Sequence, residues 1–378
     1  MPEALRVASP RIADFVDVDG VTEVRRRLAQ IPREQGRRAA AYSPELAQIW
    51  GVIGENLVEG KLVRPAILLA VADTVSAASD TSATSNTADI TPDPAHDARR
   101  EAVLELAVAV EMLHLAFLLH DDVIDHDTVR RGRPNLIARI GREITAEGAS
   151  DAERRAVGEA AGILAGDLVL SQAHQCLARI DAPADVRRRL LELLQETLQH
   201  SVAGELADVG YSLRAHRPSL ADVLTMSQSK TGAYTVRLPL LWALIALEAD
   251  VPDELEDFAA ALGLAFQLQD DLLGLFGDPA LVGKDPVSDI REGKYTAVMA
   301  HASSTPEWAE ISSHLGRADI TPDDAARVLA LLESSGARAA AQDDLERALT
   351  DARRIADEAG ALRGVLQALV AALTERRS

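Results

Sequence analysis

Leu113-His114-Leu115-Ala116-Phe117-Leu118-Leu119-His120-Asp121-Asp122-Val123-Ile124-Asp125 runs an apolar helical pattern straight into three carboxylates, and Thr128-Val129-Arg130-Arg131-Gly132-Arg133-Pro134 follows at once. Residues four apart share a helix face, so Asp121 and Asp125 project side by side. Like charges that close repel unless a cation lies between them. Oxygen-only ligands suit a hard divalent ion, above all Mg²⁺, which keeps several waters and bridges carboxylates to phosphates. Two adjacent arginines add planar, permanently charged forks that match phosphate oxygens. An acidic helix end is by default a solvated face. Here the acids oppose the dipole at a helix C-terminus and follow a run that must be buried. The stretch reads as a metal-bridged diphosphate site at the mouth of an apolar channel.

A second stretch repeats the pattern. An apolar helical run from Phe258 ends in Phe266-Gln267-Leu268-Gln269-Asp270-Asp271-Leu272-Leu273-Gly274, and Gly283-Lys284-Asp285-Pro286 and Asp289-Ile290-Arg291-Glu292-Gly293-Lys294 come after it. Two carboxylate tips at one end of a helical bundle can hold a small group of Mg²⁺ ions against a diphosphate. Lys230 and Lys284 supply further positive charge. Such a site stabilises the charge that develops as a bond to diphosphate breaks. A dry apolar cavity below it suits a hydrocarbon tail, and water has to be kept from a carbocation.

Composition narrows the class. The net charge of −20 disfavours nucleic acid or an anionic membrane surface as partner. A single cysteine, Cys176, excludes an intramolecular disulfide framework and suits a reducing cytoplasm. No signal pattern opens the chain and no run reads as a membrane span, so a cytoplasmic protein without a transmembrane segment is expected. Only four of the 39 basic residues are lysine: Lys61, Lys230, Lys284 and Lys294. An ammonium is not interchangeable with a guanidinium, and all four sit beside glycine or Thr-Gly in short polar contexts.

The periodicity is helical throughout, and no segment alternates as a strand does. The fold class is therefore all-α, a helical bundle around a central apolar cavity, in one domain over residues 1–378. Pro32 and Tyr42-Ser43-Pro44 read as breaks in the first helices, and Glu59-Gly60-Lys61-Leu62-Val63-Arg64-Pro65 as a polar turn. Residues 76–97 are rich in Ser, Thr, Ala, Asp and Pro and read as a mobile loop insertion. Ser219 with Asp222 forms an N-terminal cap, Pro239 marks a kink, and Thr321-Pro322 starts a helix that Ser334-Ser335-Gly336 interrupts. His114 lies two turns below Asp121 on the same face. Gly204-Glu205-Leu206-Ala207-Asp208 offers another inward-facing acid pair.

Taken in order, Gly60-Lys61…Arg64-Pro65, His114 before D-D-x-x-D, Arg130-Arg131-Gly132, Lys230-Thr231, F-Q-x-x-D-D at 266–271 and Gly283-Lys284 resemble the trans-isoprenyl diphosphate synthases, the polyprenyl synthetase family. The resemblance covers most of the chain and is closest to bacterial geranylgeranyl diphosphate synthases. It implies that Asp121 and Asp125 bridge Mg²⁺ to the allylic diphosphate, with Asp122 and Asp271 supporting. Asp270 takes a third ion. Arg130, Lys230, Gln267 and Lys284 contact the allylic substrate, and Thr231 shapes the site near the developing cation. Lys61, Arg64, His114 and Arg131 hold isopentenyl diphosphate. The family is usually homodimeric.

Some positions depart from the family pattern. Gly274 stands where many members carry the last aspartate of the second motif, Glu59 replaces a frequent glycine, Leu62 a frequent basic residue, and Ser288 lies near a usual glycine. Side chains about a turn before Asp121 form the floor of the tunnel in the family. Phe117 partly blocks it, while the small Ala116 beside it, with Leu113 below, points to a twenty-carbon product. Farnesyl or longer-chain products, or a regulatory subunit, remain alternatives. A class I terpene cyclase would also carry N-x-x-x-[ST]-x-x-x-E, and Asn56, Asn86 and Asn135 all fail that spacing.

Overall fold

The computed structural model describes residues 18–58, 60–83, 94–130, 132–213, 218–277 and 286–375. In chain order its first helices are α1 (Val18–Ala39), α2 (Pro44–Val58), α3 (Val63–Ala83) and α4 (Pro94–Ile124). After the strands β1 (Val129–Arg130) and β2 (Arg133–Pro134) come α5 (Leu136–Glu143), α6 (Asp151–Arg179), α7 (Ala184–Ser212) and α8 (Leu220–Ser227). A π-helical segment, Gln228–Arg237, leads into α9 (Leu238–Ala246) and α10 (Glu254–Phe276). The remainder is α11 (Pro286–Glu292), α12 (Ala297–Ala302), α13 (Trp308–His314), α14 (Pro322–Ser334), α15 (Ala337–Glu358) and α16 (Arg363–Glu375). The all-α expectation holds, with one two-residue antiparallel pairing as the only sheet among the described residues.

Two compact units divide these elements: Met1–Glu192 with Pro239–Val251, and Leu193–Leu238 with Pro252–Ser378. In the first, α4 is the central helix. Leu106, Val110, Met112, Leu113 and Ala116 are shielded from solvent. Its Ala95–Ile124 segment is long and apolar enough to cross a membrane, which corrects the expectation that no run is, but 78% of that apolar window is buried inside the protein. Helix α6 lies against α4 and α5 along a stripe of glycines. A Cβ at Gly162 would stand 2.6 Å from Val123, one at Gly166 would overlap the ring of His120, and one at Gly158 would overlap Ile137. Side-chain-free positions four apart let two helix backbones approach closely.

Two expectations in this unit need correcting. Pro32 does not break α1: it is buried inside the helix, and Gly54 of α2 leaves it room, since a Cβ there would come within 3.1 Å of the ring. The expected loop at 76–97 is shorter at both ends. Ala and Ser continue α3 to Ala83, with Ser79 Oγ donating to the Val75 carbonyl at 3.0 Å. Pro94 then opens α4 at the position where its missing N–H costs nothing, and Asp97 complements the dipole in the first turn. Residues 84–93 lie outside the described residues.

In the second unit α10 is flanked by α15 and the π-helical segment. Ser219 caps α8 and Thr321 caps α14, each in a reciprocal capping box with Asp222 and Asp324. Gly336, with φ of +79°, separates α14 from α15 as expected. Pro239 is not the centre of a simple kink. The distortion lies upstream, over ten residues, where Leu238 N–H reaches back five residues to the Ala233 carbonyl. Proline lacks the N–H that would close an ordinary turn there, and π-type turns often mark functional sites.

Candidate active site

The tip of α4 is closed by local chemistry. Asp127 N–H bonds the Asp122 carbonyl at 2.9 Å and His126 N–H bonds that of Val123 at 3.3 Å, with His126 left-handed at φ +57°. This is the glycine-type helix stop made with histidine. Asn135 then pins the returning loop. Its Nδ2 donates to the Asp127 carbonyl at 2.7 Å and its Oδ1 accepts from Ala138 N–H, capping α5. Between these anchors the β1–β2 hairpin turns at Gly132, φ +72°, and presents Arg130.

Arg130 returns to the acidic tip. Its Nε donates to Asp122 Oδ1 at 2.7 Å, its Nη2 bonds the same oxygen, and Nη2 lies 3.5 Å from Asp121 Oδ2. Asp122 is only 2% exposed. Burial pushes its carboxyl up to about 6 against the pull of Arg130, and the charges of Asp121 and Asp127 push the same way. Burial works against the guanidinium too, but Asp122 outweighs it and holds Arg130 charged. Asp122 is thus turned to the arginine, while Asp121 and Asp125 stay part-exposed at the tip.

In the same unit the Gly60 turn, which carries Lys61 and Arg64, meets Glu111 of α4, one turn before His114. Gly60 is buried, and a Cβ on it would stand 2.7 Å from Glu111 Oε1. Leu62 adopts φ +54°, a strained choice for a bulky residue, and is held by burial at 2% exposure. Arg64 sits in the first turn of α3, 7% exposed. A cation there opposes the positive end of the helix dipole, and an anion would complement both. Lys61 is exposed and His114 half-buried. Arg131 lies outside the described residues.

The second unit builds its site on three helices. Lys230, on the π-helical segment, places Nζ 2.7 Å from Asp208 and 2.9 Å from Glu205 of α7. Gly204 makes this possible: a Cβ there would lie 2.7 Å from Lys230 Cα. On the opposite side a Cβ at Gly263 of α10 would meet Gly232 Cα at 2.7 Å, so the segment is clasped by bare backbone on both faces. Thr231 is half-buried beside it. On α10, Gln267 Nε2 donates to Asp271 Oδ1 at 2.7 Å. Burial pushes the Asp271 carboxyl up to about 7; Gln267 opposes this, and the charges of Asp289, Asp270 and Asp208 add to it. Lys284 lies outside the described residues.

The structure joins Asp121, Asp122, Asp125 and Arg130 in one group and Lys230, Thr231, Gln267, Asp270 and Asp271 in another, while Lys61 and Arg64 follow the Gly60 turn that meets Glu111, and His114 lies one turn after Glu111 on α4. Ala116 is fully buried and shares the helix face of His120 and Val123, whereas Phe117, on Asp121's side of α4, is half-buried. Three contributors were given no site role by the sequence. Asn135 is betrayed by its place just before a helix. Glu111 lies a turn before His114. Asp289, 7% exposed, reaches Gly274 from fifteen residues away, and no local spacing reveals it.

No trio of His, Cys, Asp or Glu is already drawn into a cation cage among the described residues. Mg²⁺ needs none, since it is held by one or two carboxylates, waters and substrate phosphates. The buried Asp289 Oδ1, without a hydrogen-bond partner among the described residues, fits such an ion.

The comparisons agree with this geometry. A short chain isoprenyl diphosphate synthase of Methanocaldococcus jannaschii is 34% identical over 209 residues, 54% of this chain and 57% of that protein's length. A (2E,6E)-farnesyl diphosphate synthase of Mycobacterium tuberculosis is 31% identical over 298 residues, 77% of this chain and 72% of the relative. A geranylgeranyl pyrophosphate synthase of Corynebacterium glutamicum, solved with isoprenyl diphosphate and magnesium, superposes with a TM-score of 0.80 at 28% identity, covering 96% of this chain and 100% of the other. Other relatives are named geranylfarnesyl and solanesyl diphosphate synthases, so the family does not fix product length. With the polyprenyl synthetase model matching residues 48–332, the chain belongs to the polyprenyl synthetase family, the isoprenyl diphosphate synthases.

Proposed function

We propose that this chain condenses isopentenyl diphosphate with an allylic diphosphate (dimethylallyl, geranyl or farnesyl) to give geranylgeranyl diphosphate. The observation that carries the reading is Arg130 locked onto Asp122 and leaning on Asp121 at the tip of a buried apolar helix. That arrangement fixes a phosphate-matching fork beside carboxylates that accept a hard cation.

Asp121 and Asp125 would hold Mg²⁺ at the first motif and Asp270 a third ion at the second. Bound there, Mg²⁺ supplies Lewis-acid stabilisation of the departing diphosphate. Arg130, Lys230, Gln267 and Lys284 orient the allylic diphosphate, and Thr231 faces the carbon where the cation develops. Lys61, Arg64, His114 and Arg131 hold isopentenyl diphosphate, so that its double bond attacks that carbon. A proton is then lost, to the released diphosphate. Phe117 and Leu113, with the small Ala116, set the depth available to the tail. The working protein is a cytoplasmic homodimer.

A product assay tests the reading. Purified protein is mixed with Mg²⁺, isopentenyl diphosphate and each primer in turn, and the prenyl diphosphates are weighed by mass spectrometry. A twenty-carbon product supports it. A fifteen-carbon or longer product keeps the reaction but removes the tunnel-floor argument, and no condensation returns the regulatory-subunit reading.

A further inference from the structure

Two histidines bracket the first acidic motif, His120 just before Asp121 and His126 just after Asp125, and both turn to α6. His120 Nε2 lies 3.4 Å from the Ile163 carbonyl and 3.4 Å from Asp167 Oδ1, and its ring fills the space beside Gly166. His126 Nδ1 lies 3.2 Å from Glu159 Oε1. Glu159, Ile163 and Asp167 stand four apart on α6, so the three partners form one stripe. Val123, three residues after His120, closes on the bare backbone of Gly162 between them. The motif is thus seated on α6 by its back, and Asp121 and Asp125 project from another face of the helix. His126 holds a left-handed backbone, φ +57°, which glycine adopts at no cost and a histidine does not. Such a conformation persists where its surroundings fix it, and the ring meets Glu159. Neither pair contributes much stability, since the side chains of Asp167 and His126 are 65% and 68% exposed. What the pairs fix is direction.

We propose that His120 and His126 are positioning residues, which seat both ends of the acidic tip on α6 and so aim Asp121 and Asp125 at a divalent ion. Neither touches the ion; each acts through the aspartate beside it. Mg²⁺ tolerates little departure from its preferred geometry, and groups behind the ligands set how well they hold a metal. Glu159 and Asp167 belong to the same device, as the fixed ends of the two pairs. This deepens the reading above and rests on it, because the ion concerned is the one assigned to Asp121 and Asp125.

The test is a double-mutant cycle read by metal binding. Mn²⁺ serves as the probe, with inorganic diphosphate, and affinity is measured by the loss of the free Mn²⁺ paramagnetic signal. Melting temperatures are taken without metal, and Asp121→Asn marks the loss of the first-motif ion. His126→Gly suits the left-handed backbone and removes only the ring. It is expected to melt level with wild type or higher, yet to weaken Mn²⁺ binding by about 10-fold or more. Glu159→Ala and His120→Ala should weaken binding to a similar degree. His126→Gly combined with Glu159→Ala should be no worse than either alone, because each acts through the other. Arg139→Gln removes a comparable solvated pair, with Glu55, and should leave Mn²⁺ affinity unchanged. Unchanged affinity in His126→Gly, losses that multiply in the double variant, or an Arg139→Gln as damaging as His126→Gly would overturn the inference while the synthase reading stands. Wild-type protein that binds Mn²⁺ with diphosphate no better than Asp121→Asn would sink both.

Discussion

Asp122 accepts Arg130 Nε at 2.7 Å, whereas Asp121, its neighbour in the same motif, stands 3.5 Å from that guanidinium. Two adjacent aspartates thereby acquire different duties. One is buried and positions an arginine; the other stays part-exposed and open to a cation.

Removing Arg130 should therefore hurt in a pH-dependent way. Arg130→Ala leaves Asp122 buried without its partner, which costs about 3 kcal/mol when the carboxylate is charged. The Asp122 carboxyl already stands near 6, above its ordinary 3.8, so folding favours its protonated form. Its stabilising contribution is complete below about 4 and is lost as pH rises through 6. The variant's deficit in urea denaturation is expected to be large at pH 8 and smaller at pH 5. A deficit independent of pH would mean that the pair does not govern this region. Asp122→Asn should stay nearly as stable as wild type yet turn over about 10-fold or more slowly.

Gly204 is where α7 makes room for Lys230, and Gly210, on the same helix, meets nothing within 4 Å. Alanine at 204 overpacks the crossing, at about 1–3 kcal/mol, and shifts Lys230 away from Asp208 and Glu205, raising KM for the allylic substrate. Alanine at 210 should instead be neutral or add about 0.5–1 kcal/mol, by helix propensity. Thermal melts and primer titrations of the two variants, side by side, decide the matter.

Phe117 is the residue to change for product length. Phe117→Ala opens space on Asp121's side of α4, and the main product should lengthen by at least one five-carbon unit. Unchanged mass spectra would show that the floor lies elsewhere.

Cys176 is 4% exposed, and burial pushes its thiol up to about 12. At pH 8 it carries about three orders of magnitude less thiolate than a free cysteine. Ellman's reagent should label it only as fast as the protein opens, and at once in denaturant. Rapid labelling of the native protein would contradict this burial.

Glu23 accepts Arg26 and Arg27 hydrogen bonds, each 2.7 Å from Nε, and these hold its carboxyl down at about 2. A folded value below the ordinary 4.5 means that its contribution is present above 4.5 and lost as pH falls toward 2. Glu23→Gln should flatten stability over that range while costing below about 1 kcal/mol at neutral pH, since the pair is solvated. A variant that keeps the full acid slope would assign it to other carboxylates.

By itself the sequence determined whatever short-range chemistry decides. The helical period, the Ser219 and Thr321 caps, the stop at Gly336 and the two acid-tipped helices all follow from residues within a turn or two of one another. The family followed from the order of such motifs. Tertiary structure decided what depends on a partner distant in the chain. Pro32 stays inside a helix because Gly54 gives it space, and the apolar α4 is a core helix because the protein covers it. Ten residues before Pro239 open into a π-helical segment clasped by Gly204 and Gly263. Asp289 meets Gly274 only because α11 folds back onto α10. Periodicity is carried by backbone geometry and is written locally. The duty of a carboxylate is set by burial and by the charge opposite it, and both arrive only with packing.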